Sequence, residues 1–394
     1  MNRTIAVVMA ALVAVLAAIG IVTGDSSDSG ESGSSASTGG GPPIAAIARR
    51  VERIRGLRFS HLPPVRRVTA AQAQAFALRE LDRELPRAQL SGEQTLLRLL
   101  GLIPPDASLR SLYGREFGSE VGGFYDPRSG RLYVVGSGSG MLGEITLAHE
   151  LTHALEDQRF RLDVSPGTGF RRDRSVADTT LHEGTATLLM VDYVILKQTG
   201  RVDVPAALTR RVLSALDDAA ISPSSGLPRY LRESLVFPYA TGARLVARAE
   251  ESGGWKAVNE LIRHPPVSSE QVMHPAKLRT REKPIPVRLG ARGARPPARG
   301  DFGEFDTEQL LRDANGRARA ARAAAGWGGG GFVLTRRPGG GFRLTMRWAW
   351  DTPQDADEFE AALRRTAAAL ARRPGTAARV SRKGDNVALT LQTG

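Results

Sequence analysis

From residue 44 onward, apolar positions recur at helical intervals. Ile44, Ile47, Val51 and Ile54 share one face, which predicts a helix at the start of the folded part. Thr69 stands where an N-cap is needed for a second helix, expected to reach about Glu84 and to end at Pro86. A short apolar helix over 96–102 follows, stopped by Pro104 and Pro105. The period then changes. Within "EVGGFYDPRSGRLYVVGSG" (120–138), the β-prone runs 123–125 and 131–135 flank the turn "DPRSG", which predicts a hairpin. After a Gly/Ser loop, helical spacing returns in "LAHELTHAL" (147–155). Residues 176–197 are apolar nearly all round, the mark of a buried helix. Helices are expected at 206–219, 240–249 and 255–263. Beyond a Pro/Gly/Arg-rich stretch at 288–300, the pattern predicts strands at 331–335 and 342–350, a helix over 355–371 and a strand at 386–392. No repeat is present. The expected class is α+β, mostly helical, with a small hairpin sheet and a small C-terminal α+β domain.

The first residues follow a different rule. Residues 5–22 are uninterruptedly apolar, long enough to span a bilayer and also acceptable as the core of a signal peptide. Residues 1–23 are therefore expected to be an N-terminal membrane anchor or a cleaved signal, placing the folded part outside the cell, anchored or secreted. The Ser/Gly-rich 24–43 is expected to be a disordered linker.

Composition narrows the chemistry. The 394 residues include no cysteine, which excludes disulfides, thiolate metal sites and cysteine nucleophiles, so any metal site is built from His and carboxylates. The net charge of +13 raises nucleic acid or envelope partners. Much of the excess sits in the 288–300 connector and the helices after it, and no basic stripe interleaved with aromatics is seen. The charge reads as a solvated surface, with no nucleic-acid partner expected.

Within "LAHELTHAL", His149 and His153 are four residues apart and share a helix face. Two imidazoles at that spacing can reach one zinc ion, and Glu150 is offset so as to take a proton from a water that zinc has made acidic. A hydrolytic zinc site has three protein ligands and an open position. The third is sought in "LHEGTA" (181–186), where charge in an apolar helix is costly unless paired or metal-bound. Glu183 is the choice, because it completes a His2Glu set; His182, about 100° round the helix, is the competitor. Gly184 allows close helix approach. The hairpin edge, with Gly122 and Gly123, could pair with an extended substrate backbone.

"LAHELTHALEDQ" followed by "LHEGTA" resembles the gluzincin branch of the HExxH zincin metallopeptidases. The succession "GFYDP", "HELTHALEDQ", "HEGTAT", "FPYATGARLV", "GGWKAVNELI", "PPVSSEQVMHPAK" and "WDTPQDADEFEAAL" is similar to an uncharacterised group of exported actinobacterial metalloproteases, over most of the chain from about residue 50. The resemblance implies a zincin-like metallopeptidase domain over 44–287, one zinc held by His149, His153 and Glu183, and Glu150 as general base in peptide-bond hydrolysis. It also implies a His or Tyr that stabilises the oxyanion, with His274 and Tyr239 as candidates, and a peptide or protein substrate. It leaves 301–394 as a small domain without an assigned role. One departure is Thr187, where the family often has an acidic residue; Asp157 or Asp178 would then have to orient an imidazole. The alternative from another class is a catalytically idle, zinc-stabilised binding module at the cell surface.

Overall fold

The computed structural model describes residues 44–116, 122–136, 140–162, 172–202, 226–290 and 296–394, with a few positions between 207 and 214. It is a mixed α+β fold, as the pattern predicts. Helix α1 (Ile44–Arg55) buries Ile47, Val51 and Ile54. Helix α2 (Ala70–Glu84) starts at a Thr69–Gln72 capping box, which satisfies two of the backbone N–H groups a helix start leaves open. Pro86 ends α2 and also precedes α3 (Arg87–Leu99), so α3 begins well before the apolar run that signals it. Helix α4 (Leu109–Glu116) has no strong periodic signal of its own.

The predicted hairpin forms from β2 (Gly123–Asp126) and β3 (Arg131–Val135), with Phe124 opposite Tyr133. It is extended by β1 (Val65–Val68), which pairs parallel to β3 in a sheet of order β1-β3-β2. β1 escapes prediction because "VRRV" does not alternate, and its first three residues are exposed. The sheet lies on helix α5 (Gly140–Phe160): a Cβ on Gly122 would stand 3.2 Å from Thr146, and one on Gly123 3.4 Å from the Leu147 side chain.

Two long helices complete this part, α6 (Arg172–Thr199) and α7 (Arg229–Arg263). Helix α7 runs through Pro238, so it is longer than the 240–249 segment expected, and it bends at Gly253–Gly254, where the second helical segment was expected to begin. Its bend needs Gly254 at φ 64. The helix expected at 206–219 lies mostly outside the described residues. Short helices α8 (Ser269–Met273) and α9 (Pro275–Thr280) follow.

The C-terminal part consists of β4 (Ala298–Asp301), α10 (Glu304–Asn315), α11 (Arg317–Ala324), β5 (Trp327–Arg336), β6 (Phe342–Trp350), α12 (Pro353–Ala371), β7 (Thr376–Lys383) and β8 (Asn386–Thr393). β4 lies in the stretch that reads as connector. Its five-stranded antiparallel sheet has the order β4-β5-β6-β8-β7. Leu344, Met346, Trp348, Leu389 and Leu391 on one face are buried beneath α10 and α12, where Trp348 meets Phe359 at 4.9 Å between ring centroids. The segment 284–289 crosses the glycines of β5; a Cβ on Gly329 would stand 2.2 Å from the Ile285 carbonyl oxygen. This part docks on α7 through Phe237 against Phe305, 4.2 Å between centroids, and through the Tyr230 hydroxyl, which donates to Asp306 at 2.7 Å.

The expectation of a membrane partner through a spanning helix is corrected. Among the described residues no helix is long and apolar enough to cross a membrane. The apolar run 5–22 and the linker 24–43 lie outside the described residues.

Candidate metal centre

Helix α5 presents His149 and His153 one turn apart, and α6 packs across it so that Glu183 faces both. His149 Nε2 lies 3.2 Å from Glu183 Oε2, His153 Nε2 lies 3.6 Å from Glu183 Oε1, and the two Nε2 atoms are 3.1 Å apart. One donor atom from each residue falls within 4.8 Å of the other two, and all three residues are buried. Two imidazole nitrogens and a carboxylate oxygen converging in a water-poor interior is what a His2Glu cation site requires. Burial alone would raise the Glu183 pKa, but the neighbouring imidazoles outweigh it and hold it down at about 2. Burial lowers His153, and the Glu183 charge overcomes this and raises it to about 9. Glu183 and His153 therefore form a charged pair, and a bound divalent cation would supply the positive charge in place of the imidazolium proton.

Glu150 sits beside the triad, 5% exposed, and its Oε2 accepts the Tyr125 N–H of β2 at 2.8 Å. Burial pushes its pKa up, against the pull of His149, His153 and the Tyr125 N–H. That N–H belongs to the outer edge of β2, the strand at the end of its sheet. The Tyr239 ring, on α7, stacks near His149 with centroids 6.2 Å apart. Burial, with the charges of Glu183 and Glu150 nearby, drives its pKa far up, so the hydroxyl keeps its proton.

Four other expected positions lie elsewhere. His182 turns to Glu156, with Nδ1 3.2 Å from Oε2, and lies near Asp178, so Glu183 rather than His182 joins the triad. Asp157 accepts from the Tyr125 hydroxyl at 2.7 Å and Asp178 faces His182, so neither orients a triad imidazole. The His149 Nδ1, His153 Nδ1 and Thr187 Oγ1 atoms are buried without a hydrogen-bond partner. His274, between α8 and α9, hydrogen-bonds Glu304 of α10 at 2.7 Å and is not part of the triad. The Gly184 contact also differs from expectation: its close neighbour is the Gly242 backbone of α7, not α5.

Sequence reasoning missed Glu156. It is fully buried three residues after His153, accepts from Arg55 at 3.0 Å, and takes the Thr185 hydroxyl at 2.9 Å. It thereby ties α1 and the two helices of the triad together. Its only sequence signal is a carboxylate in the apolar half of α5. A second carboxylate group, Glu270, Glu282 and Asp351, surrounds the Lys277 ammonium, which fills it.

Residues 289–393 match a family model described as a domain of unknown function (DUF8575). No curated protein matches the chain, and no solved structure does.

Proposed function

We propose that the protein is a zinc-dependent metallopeptidase of the gluzincin type, with His149, His153 and Glu183 as ligands and Glu150 as general base. The observation that carries this reading is the buried convergence of three donor atoms on two crossed helices, with a fourth residue, Glu150, next to them and not among them. Zinc held there would acidify a water and polarise the scissile carbonyl. Glu150 takes the proton of the attacking water and delivers it to the departing amine. Burial raises its pKa, the direction that helps a carboxylate hold the proton it takes before passing it on. The Tyr125 N–H fixes the carboxylate's direction. The outer edge of β2 supports an extended substrate lying beside Glu150. Tyr239, protonated and hydrogen-bonded to Glu183, is the better placed of the two candidates for donating to a developing oxyanion, because His274 lies away from the triad against Glu304.

The test combines elemental analysis with hydrolysis of dye-quenched casein by the full chain. The expected result is one zinc per chain, lost in Glu183→Ala, and a Glu150→Gln variant that keeps its zinc but cleaves about a hundred- to ten-thousand-fold more slowly. Zinc binding with undiminished cleavage in Glu150→Gln would remove Glu150 from the chemistry. Zinc binding with no cleavage by any form would favour the idle binding module.

A further inference from the structure

The five-stranded sheet has two unlike faces. One is buried under α10 and α12; the other is covered at β5 by the 284–289 segment, with Val333 buried there, and is open over the middle of β6 and over β8 and β7. Arg299 stands opposite Val333, Val333 opposite Thr345, Thr345 opposite Thr390 and Thr390 opposite Arg379, a row crossing all five strands. The neighbouring rows on that face carry Arg343 opposite Gln392, and Arg347 opposite Ala388. Lys383 follows Arg379 four residues along β7, on the same side of the strand. Arg299, Arg343, Arg347, Arg379 and Lys383 are all exposed.

A sheet face that is merely solvated mixes its charges, because like charges near one another repel. Elsewhere this chain does so: Arg382, on the helix side of β7, pairs with Asp357 and Glu360 of α12, and Arg364 pairs with Glu360. On the open face none of the five cations has an ion-pair partner among the described residues. Asp301, the carboxylate of β4 on that face, accepts the Asp173 N–H.

The end strand adds a second observation. β7 closes the sheet on one side; beyond the Thr376 N–H, which donates to the Arg373 carbonyl, no backbone group of the described residues pairs with its outer edge. Along its eight residues the half-buried Thr376, Ala378, Val380 and Arg382 alternate with the exposed Ala377, Arg379, Ser381 and Lys383. A chain laid beside β7 would meet Arg379 and Lys383 on one side, about 13 Å apart, and Ala378 and Val380, flanked by Thr376 and Arg382, on the other.

We propose that the open face and the β7 edge form a docking site for an extended polypeptide segment in which acidic and apolar residues alternate, added as a sixth strand. Its backbone hydrogen-bonds to β7, its carboxylates meet Arg379 and Lys383, and its apolar side chains lie over Ala378 and Val380. The site sits in the region matched by the family of unknown function and does not depend on hydrolysis at the metal centre. Nucleic acid fits less well, since the residues named on the open face include no aromatic on which a base could stack.

The test is fluorescence anisotropy with the full chain and three labelled probes: a peptide of alternating valine and glutamate, a peptide of the same composition with its glutamates in one block, and duplex DNA. The alternating peptide should bind at least about tenfold more tightly than the block peptide, with affinity falling as salt rises. Arg379→Glu with Lys383→Glu should weaken it by about tenfold or more while circular dichroism and zinc content stay unchanged. Equal binding of the two peptides would reduce the face to unspecific charge attraction and overturn the strand-addition proposal. Preference for DNA would replace it with a nucleic-acid surface. No binding by any probe would mean that the cations only keep copies of the chain from pairing edge to edge.

Discussion

Gly184 shows how much one hydrogen atom in place of a methyl can decide. A Cβ there would fall 2.2 Å from the Gly242 carbonyl carbon, and one on Gly242 would fall 2.1 Å from the Thr180 carbonyl oxygen. Helices α6 and α7 therefore touch backbone to backbone at the level of Glu183, and Tyr239 of α7 reaches the triad from that contact. Gly184→Ala must push the helices apart, costing about 1–3 kcal/mol in urea denaturation, and, on the proposed zinc site, should weaken zinc binding because Glu183 is the preceding residue. An unchanged midpoint and zinc affinity would mean that the contact is looser than described. Identity at this scale was partly legible. His149, His153 and Glu150 stand out by spacing, whereas nothing in "HEGTA" says that its glycine serves α7 and not α5.

Between elements, the two helices that carry the His149–His153–Glu183 triad are held from behind by charge. Arg55 from α1 and Glu156 from α5 are both fully buried, and Glu156 also receives the hydroxyl of Thr185 and lies against His182, both on α6. The Arg55 guanidinium lies over the Trp255 ring, 4.3 Å from its centroid. Removing one partner of such a pair leaves an uncompensated charge in the interior. Arg55→Met is thus expected to lower stability by about 3–5 kcal/mol, and adding Glu156→Gln should recover part of it. Additive losses in the double-variant cycle would show that the two do not act together. The lock was not visible in the chain because its members are about a hundred residues apart, and a buried ion pair has no periodicity.

At the scale of the whole molecule, the C-terminal part is fastened to the part that carries the triad through Asp173. This carboxylate, in the first turn of α6, accepts the Ser269 N–H at 3.1 Å and also the Ser269 hydroxyl. A Cβ on Gly303, just before α10, would collide with it. Burial raises its pKa to about 8, against the Ser269 donors and with help from Asp301 and Asp306. The folded state therefore keeps the proton across the window from the usual carboxylate range up to about pH 8, while the unfolded chain has released it. The unfolded state binds fewer protons there, so this group's contribution to stability falls as pH rises through that window. Asp173→Asn keeps an acceptor for Ser269 and has no proton to lose. Its melting temperature should exceed that of the parent by a few degrees near pH 8 and converge with it toward pH 4. A constant difference at every pH would refute the assignment.

Local patterning settled a good deal without any fold. The amphipathic spacing of α1, the Thr69 cap, the hairpin turn, strand β6 and helix α12 all follow from neighbours within a turn or a strand pair, and so does the one-turn spacing of His149 and His153. What needed the folded molecule was long-range. β1, β4 and β7 are strands because another strand pairs with them, and short or evenly polar segments carry no such signal alone. Which of His182 and Glu183 faces the histidines depends on how α6 is rotated against α5, which the glycine contact with α7 and the Glu156 lock set. The arginines that read as a diffuse basic surface become one face of a sheet only when register places them there. Short-range chemistry is written in consecutive residues; rotation, register and burial are properties of pairs of elements, and they exist only once the chain has closed on itself.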